Sequence, residues 1–332
     1  MKKSLLALLF LASFSGVFGQ WTPQNSPALE YTWHEDAEVC DYMFLGLFRF
    51  ISPSPRTATN LILDNKGDVV YWQKAAEWML DWKIHPNGLM SYNLYDKWYI
   101  LDSTFTMIDS LKCQGYNTDV HDLIITDDGH YFLICFEDST MDLSALTTPN
   151  GMQGAVNGHV TANVIQELDA NKNIVKEWHT LDHFDVLDIG PQFFTQPGVA
   201  ELNHTNSISL DQWGNMVMSH RANHEVTYVD WDSGDIIWRL GGNNNEFTFT
   251  NDIGINSQHF AQIQPDGKLS VFDNGTHHIP KKARGIVYDL DTVNMEATKV
   301  WEYTNLDLFS TSLGSFQRAV DLNEDLGDVL EL

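Results

Sequence analysis

The sequence predicts an all-β protein, a six-bladed β-propeller whose last blade is incomplete. Most segments alternate apolar and polar residues over four to eight positions and break at Asn-Gly or Asp-Gly, which is typical of β-hairpins. The hairpins also repeat along the chain, and each of three repeats closes on a short apolar strand that ends at Trp178, Trp238 or Trp301. Four strands per repeat is the pattern of a propeller blade. The best helical segment, residues 73–80, is short.

The repeats define the domain organisation. They begin near Tyr42, Leu80, His121, His204, His259 and Ser315. At about 45 residues per blade, six blades need most of residues 42–332, which we assign to the propeller domain. The third repeat is long because residues 141–160 form an insertion between strands. The last repeat stops inside its first hairpin, so either residues 20–41 close the ring or the chain is a truncated product.

Residues 1–19 predict a secretory signal peptide. Lys2 and Lys3 precede an apolar stretch and then small residues, with cleavage expected after Gly19. The apolar stretch is short for a membrane span, and no later segment is apolar enough to cross a bilayer. We therefore expect an exported protein, periplasmic or secreted, with no membrane span.

The charge balance restricts the class of partner. The formal net charge is −26, from 19 basic and 45 acidic residues. Such a field repels phosphate backbones and anionic membrane surfaces, so we expect no nucleic-acid partner. A small anionic substrate is compatible with this field where a local cluster of positive groups overrides it.

The three cysteines do not form a disulfide framework, but one bridge is feasible in an oxidising compartment. Cys135 lies in the apolar run "YFLICF", which favours a packed core position. We therefore expect any bridge to join Cys40 and Cys113.

Three histidines share one position of the repeat. His121 and His259 each precede an Asp-Gly turn by the same interval, and His204 precedes Asp211 by seven residues. The first strand of each propeller blade lines the central channel, so equivalent positions in different blades point at one axis. We therefore expect the three imidazoles to converge at one mouth of the channel.

Arg221 distinguishes two chemistries for such a cluster. Imidazoles bind zinc, copper or iron, and they also act as nucleophiles or acid-base groups. Arg221 follows the strand "NMVMS" in the repeat of His204, where it can reach the same cavity. A guanidinium is a poor neighbour for a metal cation and a good partner for an oxyanion. With no carboxylate in the histidine register, the set favours an anion-handling pocket without a metal or cofactor.

From about Val120 to Gln317 the chain resembles the bacterial arylsulfate sulfotransferases and related secreted propellers. The resemblance rests on the order and spacing of "DVHDLIITDDG", "LNHTNSISLDQWGN" with "SHR", "GDIIWRLGG", "QHFAQIQPDG", "FDNG", "ARG" and "GSFQR". It implies that His259 takes the sulfuryl group as a sulfohistidine and that His204 and Arg221 bind sulfate oxygens. It implies for His121 a further sulfate-binding or proton-handling role. Asn274 of "FDNG" lies close enough in the repeat to border the pocket.

The resemblance implies a ping-pong transfer of sulfate from a phenolic sulfate ester to a phenol, without a nucleotide donor. The donor and the acceptor are then small aryl molecules, and no cofactor is needed. Two alternatives remain open at this point. One is a non-catalytic secreted propeller that binds a ligand or partner in its channel, and the other is a metalloenzyme with histidine ligands.

Overall fold

The computed structural model describes residues 42–48, 58–64, 66–75, 79–305, 309–318 and 329–331. The predicted signal peptide and residues 20–41 lie outside this set. The chain divides into two compact units, residues 1–111 and residues 112–332, and each is described by itself. Nearly all regular structure is β-strand, and no helix among the described residues has the length and apolarity to cross a membrane.

The first unit holds two antiparallel sheets. Blade 1 consists of β1 (Tyr42–Phe48), β2 (Ala58–Asp64) and β3 (Val69–Ala75). Blade 2 consists of β4 (Met79–Ile84), β5 (Met90–Leu94), β6 (Lys97–Leu101) and β7 (Met107–Leu111). Their shared core contains buried Ile62, Trp82 and Leu101.

The second unit holds three larger blades. Blade 3 consists of β8 (Asn117–Ile125), β9 (Tyr131–Met141), β10 (Gly158–Leu168) and β11 (Ile174–His179), with β12 (Val199–Glu201) added to β10. Blade 4 consists of β13 (Thr205–Leu210), β14 (Met216–His220), β15 (Glu225–Val229) and β16 (Ile236–Gly241). Blade 5 consists of β18 (His259–Ile263), β19 (Leu269–Asp273), β20 (Arg284–Asp291) and β21 (Glu296–Tyr303), with β17 (Thr248–Thr250) added to β21.

The predicted fold class is confirmed, but the predicted count of six blades is wrong. The chain is an all-β propeller protein with five blades. Among the residues that the structure describes, the sixth repeat, predicted to begin near Ser315, contributes only β22 (Phe316–Arg318) and β23 (Val329–Glu331), which pair with each other. Two three-residue strands bury too little surface to form a blade. The predicted insertion of blade 3 is the segment between β9 and β10.

The same kind of hairpin turn ends the first strands of blades 3, 4 and 5. In the turns after β8, β13 and β18, the N–H groups of Gly129, Gly214 and Gly267 donate to the carbonyl three residues earlier. Each of these glycines has φ between 82° and 86°, a backbone conformation that strains other residues. The Asp-Gly and Gln-Trp-Gly patterns therefore end each first strand at an equivalent place.

The apolar runs of blade 4 fill the core on both of its faces. Successive side chains of a strand point to opposite faces of the sheet. On β14, Met216 and Met218 pack toward blade 3 with Ile134, and Val217 packs toward blade 5 with Val271. This two-sided burial requires the continuous apolar run that the sequence shows there.

The disulfide joins Cys113 to Cys135, so the expected Cys40–Cys113 pairing is wrong. Thr118 pairs with Cys135 in the ladder between β8 and β9, and its hydroxyl accepts the N–H of Cys113 at 2.9 Å. This turn brings the two cysteines to a Cα separation of 5.9 Å. Cys40 lies outside the described residues.

Removing this bond with the Cys113→Ala/Cys135→Ala double variant is expected to lower the free energy of unfolding by about 3 kcal/mol. A cross-link over 22 residues restricts the unfolded chain by that order of magnitude. Denaturant unfolding with and without a reductant checks this. The reductant should shift the wild-type midpoint and leave that of the double variant in place, and a wild-type midpoint insensitive to complete reduction would contradict the assignment.

Candidate active site

The first strands of blades 3, 4 and 5 lie side by side, with β13 between β8 and β18. Side chains bind the backbone of the neighbouring blade across both junctions. Ile208 donates its N–H to Asp122 Oδ2 at 2.8 Å, and Ala261 donates its N–H to Ser207 Oγ at 3.1 Å. Equivalent positions of the three strands therefore face a common region, which is the geometry that the repeat predicts.

Each predicted histidine lies at an irregularity of strand pairing. The register shifts between Thr118 and Leu123 on β8, around Thr205 on β13, and directly after His259 on β18. His204 also has φ of 51°, which costs energy for a residue with a Cβ atom. Bulges redirect side chains beside active sites, and backbone strain collects at such sites. In each of blades 3, 4 and 5, an irregularity of the first strand therefore changes the direction of one imidazole.

The structure brings His121 and His204 together as a pair. Their ring centroids are 4.9 Å apart in an edge-to-face arrangement. Nδ1 of His121 lies 2.5 Å from Oδ1 of Asp119, and Nδ1 of His204 lies at the ion-pair distance of 2.8 Å from Oε2 of Glu201. Each of these two histidines therefore has a carboxylate on one nitrogen and leaves Nε2 for another group.

His259 has neutral partners instead. Its side chain is only 4% exposed, and Nδ1 lies 2.6 Å from Oδ1 of Asn274. Asn274 Nδ2 donates to the carbonyls of Ser310 and Leu313, so its oxygen must face the imidazole. Nδ1 of His259 therefore carries the hydrogen. Nε2 is the acceptor, and it receives the N–H of Leu313 at 3.1 Å.

Arg221 provides a guanidinium that forms no ion pair with the described residues, although the charge of Glu201 acts on it from a distance. Its backbone N–H donates to the carbonyl of His204 at 3.1 Å, which fixes it beside that histidine. The guanidinium stacks 4.9 Å above the ring of Phe193, and its Nη2 donates to the carbonyl of Thr311 at 3.3 Å. Its buried Nε has no hydrogen-bond partner among the described residues, and no ion pair of Arg221 is found within them. A half-buried guanidinium with spare donors is suited to bind an oxyanion.

The pKa values of two histidines move in opposite directions. Burial, together with the charges of His121 and Arg221, lowers the pKa of His259 well below 6.5. Burial opposes charging of His121 too, but the charge and hydrogen bond of Asp119 outweigh it and raise the pKa of His121. The site therefore combines an imidazole that burial keeps neutral with one whose protonated form a carboxylate favours, the division that acid-base chemistry uses.

The segment 309–314 covers this cluster. Leu313 contacts His259 through its N–H, and the carbonyl of Thr311 accepts hydrogen bonds from Arg221 and from the hydroxyl of Thr276. Burial lowers the pKa of Arg221, but a guanidinium stays protonated at physiological pH. Backbone groups of this segment therefore occupy the atoms at which an anion would bind.

Sequence reasoning missed the carboxylates of the site. Asp119 and Glu201 do not share the histidine register, because they precede the two histidines by two and three residues and reach back to them. Asp119 could have been found from its place in "DVHD", where a short acidic side chain can bind the backbone N–H two residues ahead. That bond is present, at 2.9 Å to His121.

Other motif residues are structural. Arg239 of "WRLGG" pairs with Oε1 of buried Glu225 at 3.0 Å, and Arg284 of "ARG" pairs with Asp252 and Asp273. His220 of "SHR" is fully buried, and its Nδ1 bonds the hydroxyl of Thr205. Across the described parts of the chain, no group of three or more His, Cys, Asp or Glu side chains is arranged to hold a metal ion.

The family model described as Arylsulfotransferase (ASST) matches residues 90–326. No curated protein matches the sequence. Similar solved structures include a protein of unknown function from Bacteroides caccae, 10% identical, with 74% of this chain and 90% of that chain covered and a TM-score of 0.38. A catalytically inactive virginiamycin B lyase from Staphylococcus aureus with quinupristin is 8% identical, with 83% and 78% covered and a TM-score of 0.39. Kuenenia stuttgartiensis hydrazine synthase is 13% identical, with 71% of each chain covered and a TM-score of 0.38. Likenesses this distant support no inference about activity.

Proposed function

Since the chain belongs to the arylsulfotransferase (ASST) family, we propose that it moves a sulfuryl group from a phenolic sulfate ester to a phenol. One observation carries the proposal. A neutral imidazole, His259, shares a cluster with His121, whose pKa Asp119 raises, and with a guanidinium that forms no ion pair with a carboxylate of the described residues. This set supplies a nucleophile, a proton donor and an anion clamp within an otherwise acidic protein.

In the first half-reaction, the Nε2 lone pair of His259 attacks the sulfur of the donor. An N–S bond forms, the bond between sulfur and the phenolic oxygen breaks, and its electron pair leaves on that oxygen. His121 gives its proton to the departing phenolate. Arg221 donates hydrogen bonds to the sulfuryl oxygens, where negative charge concentrates in the transition state, and His204 does the same from Nε2 when both of its ring nitrogens carry a hydrogen.

In the second half-reaction, the acceptor phenol gives its proton to His121 and its oxygen attacks the sulfur. The O–S bond forms, the N–S bond breaks, and the electron pair returns to Nε2 of His259. The hydrogen stays on Nδ1 of His259 throughout and is donated to Oδ1 of Asn274, so a neutral imidazole is the leaving group. The histidine is regenerated, and the kinetics are ping-pong.

The first half-reaction requires a movement of the segment 309–314. Nε2 of His259 accepts the N–H of Leu313, so it cannot form an N–S bond while that hydrogen bond is made. The carbonyl of Thr311 likewise holds a donor of Arg221 that sulfate oxygens need. Substrate binding therefore displaces these two backbone groups from the site.

We also propose that the protein is exported to the periplasm or beyond. The support is the pattern of residues 1–19, which is typical of a signal peptide, together with the Cys113–Cys135 disulfide. Disulfides persist in oxidising compartments and are rare in the cytosol.

Incubation with p-nitrophenyl sulfate, with and without a phenol acceptor, tests the proposed activity. We expect nitrophenolate release that increases with the acceptor, because the acceptor clears the sulfuryl group from His259. Double-reciprocal plots of initial rate against donor concentration, measured at several acceptor concentrations, should give the parallel lines of a ping-pong scheme. A rate of nitrophenolate release that does not depend on the acceptor concentration would indicate a hydrolase. No release at all would favour a ligand-binding propeller, and activity that requires a stoichiometric bound metal would favour the metalloenzyme.

A further inference from the structure

We propose that Asp119 is a positioning residue that holds His121 in its proton-donating form. The proposal rests on the proposed function for the role of that proton, but its first test does not. The partner of Nδ1 is a carboxylate for His121 and an amide for His259.

The geometry of Asp119 is fixed independently of any substrate. Its side chain is buried, with an exposed fraction of 1%. One carboxylate oxygen accepts both the backbone N–H of His121 at 2.9 Å and the ring Nδ1 of the same residue at 2.5 Å. The backbone bond locks the carboxylate in place. The ring of His121 therefore has a defined orientation, with Nε2 directed away from Asp119.

The other two carboxylates near His121 also raise its pKa. Glu201 and Asp122 add negative charge near the ring, although Asp122 itself binds the N–H of Ile208. The ring of His204 contacts His121 edge to face, and a charged His121 acts in turn on His259. Of the described residues, only Asp119 contacts His121 with a carboxylate oxygen, so its removal should change the pKa of the ring most.

The contrast with His259 shows what the carboxylate adds. Asn274 is also fully buried and also takes the hydrogen of Nδ1, but it is uncharged. A carboxylate favours a charged imidazole, whereas an amide fixes only the tautomer. Two histidines of one site thus receive different partners on the same ring atom. His121 becomes the proton carrier, and His259 keeps an unprotonated Nε2 for attack on sulfur.

The test is an NMR titration of ¹⁵N-histidine in the resting protein, wild type against Asp119→Asn. We expect the pKa of His121 to fall in the variant, and His259 to stay neutral with its hydrogen on Nδ1 in both proteins. A His121 titration unchanged by Asp119→Asn would overturn the proposal, whatever the catalytic activity. Asp119→Glu retains the charge and should restore the wild-type titration, which separates loss of charge from loss of folding.

Two functional readouts follow the same variant. Inorganic sulfate should bind the variant roughly tenfold more weakly at neutral pH, because a neutral His121 with its hydrogen on Nδ1 has no Nε2–H to donate to a sulfate oxygen. In turnover, a general acid loses activity as pH rises through its pKa. The alkaline limb of kcat/KM should therefore move to lower pH in Asp119→Asn while the acid limb stays in place. An alkaline limb that does not move would contradict the positioning role.

A matched control lies outside the site. His130 contacts Oε1 of Glu167 at 2.7 Å, and the hydrogen bond raises the pKa of His130 as Asp119 does for His121. Glu167→Gln should lower the pKa of His130 and leave sulfate binding and the pH profile unchanged. A failure of the nitrophenyl sulfate assay would reject the proposed function alone, because the His121 titration is read without turnover.

Discussion

Replacing His259 by alanine is expected to reduce sulfuryl transfer from p-nitrophenyl sulfate to phenol by on the order of 10⁴-fold or more. The variant loses the nitrogen that takes the sulfuryl group, an unprotonated Nε2 on an imidazole that burial keeps neutral. The loss should appear in kcat, measured under saturating donor and acceptor.

The fold of this variant should persist, because the first strand keeps its backbone bonds to blade 4 through Ala261. Circular dichroism and a thermal unfolding curve check that point. His159→Ala is the matched control, since the His159 side chain is about half exposed on β10 and contacts Asp138. The control should retain wild-type turnover. Wild-type turnover in His259→Ala would exclude this histidine as the nucleophile.

Replacing Arg221 by alanine is expected to reduce kcat/KM by about 10² to 10³-fold, as found when one oxyanion donor is removed from an active site. The guanidinium has spare donors and no carboxylate partner in the described parts of the chain, so an incoming sulfuryl group can bind it fully. Arg221→Lys keeps the charge but loses the planar fork of donors, so its activity should fall between those of wild type and alanine.

Lys268→Ala is the control for the general electrostatic field. Lys268 lies in the turn after β18 and pairs with Asp266, so its loss changes the net charge by the same amount outside the site. Its kcat/KM should match that of wild type. An Arg221→Ala variant with the same kcat/KM as Lys268→Ala would show that Arg221 does not bind the transferred group.

The hairpin pattern was sufficient to predict the class of fold and, to within a few residues, where blades 1 to 5 begin. Predicted starts at Tyr42 and His259 coincide with the first residues of β1 and β18, because the alternation and the Asp-Gly turns are local properties. The blade count failed because a repeat start does not show how many strands follow it. The helical pattern at residues 73–80 also failed, since its two ends lie in β3 and β4.

The candidate site was predictable where it follows the repeat and not where it depends on local folding. His121, His204 and His259 share a repeat position, so their approach follows from topology. Asp119 and Glu201 reach these rings only because the chain bulges next to them. The covering segment comes from far along the chain, and periodicity carries no information about such a contact.

The cysteine pairing shows the same limit. Any of the three pairings fits the sequence, and the apolar context of Cys135 suggested a packed thiol. The actual bond depends on Thr118, which pairs with Cys135 and also bonds the backbone of Cys113. Such proximity arises in the folded chain and has no local pattern.

The most direct test of the sulfuryl-transfer account is to trap the intermediate. The protein is mixed with excess p-nitrophenyl sulfate without an acceptor and quenched in alkali, and its peptides are analysed by mass spectrometry. The account predicts a burst of about one nitrophenolate per active site and one SO₃ group on the peptide that contains His259, which disappears when phenol is added before the quench. Steady transfer to phenol with no burst and no SO₃ on that peptide would contradict it.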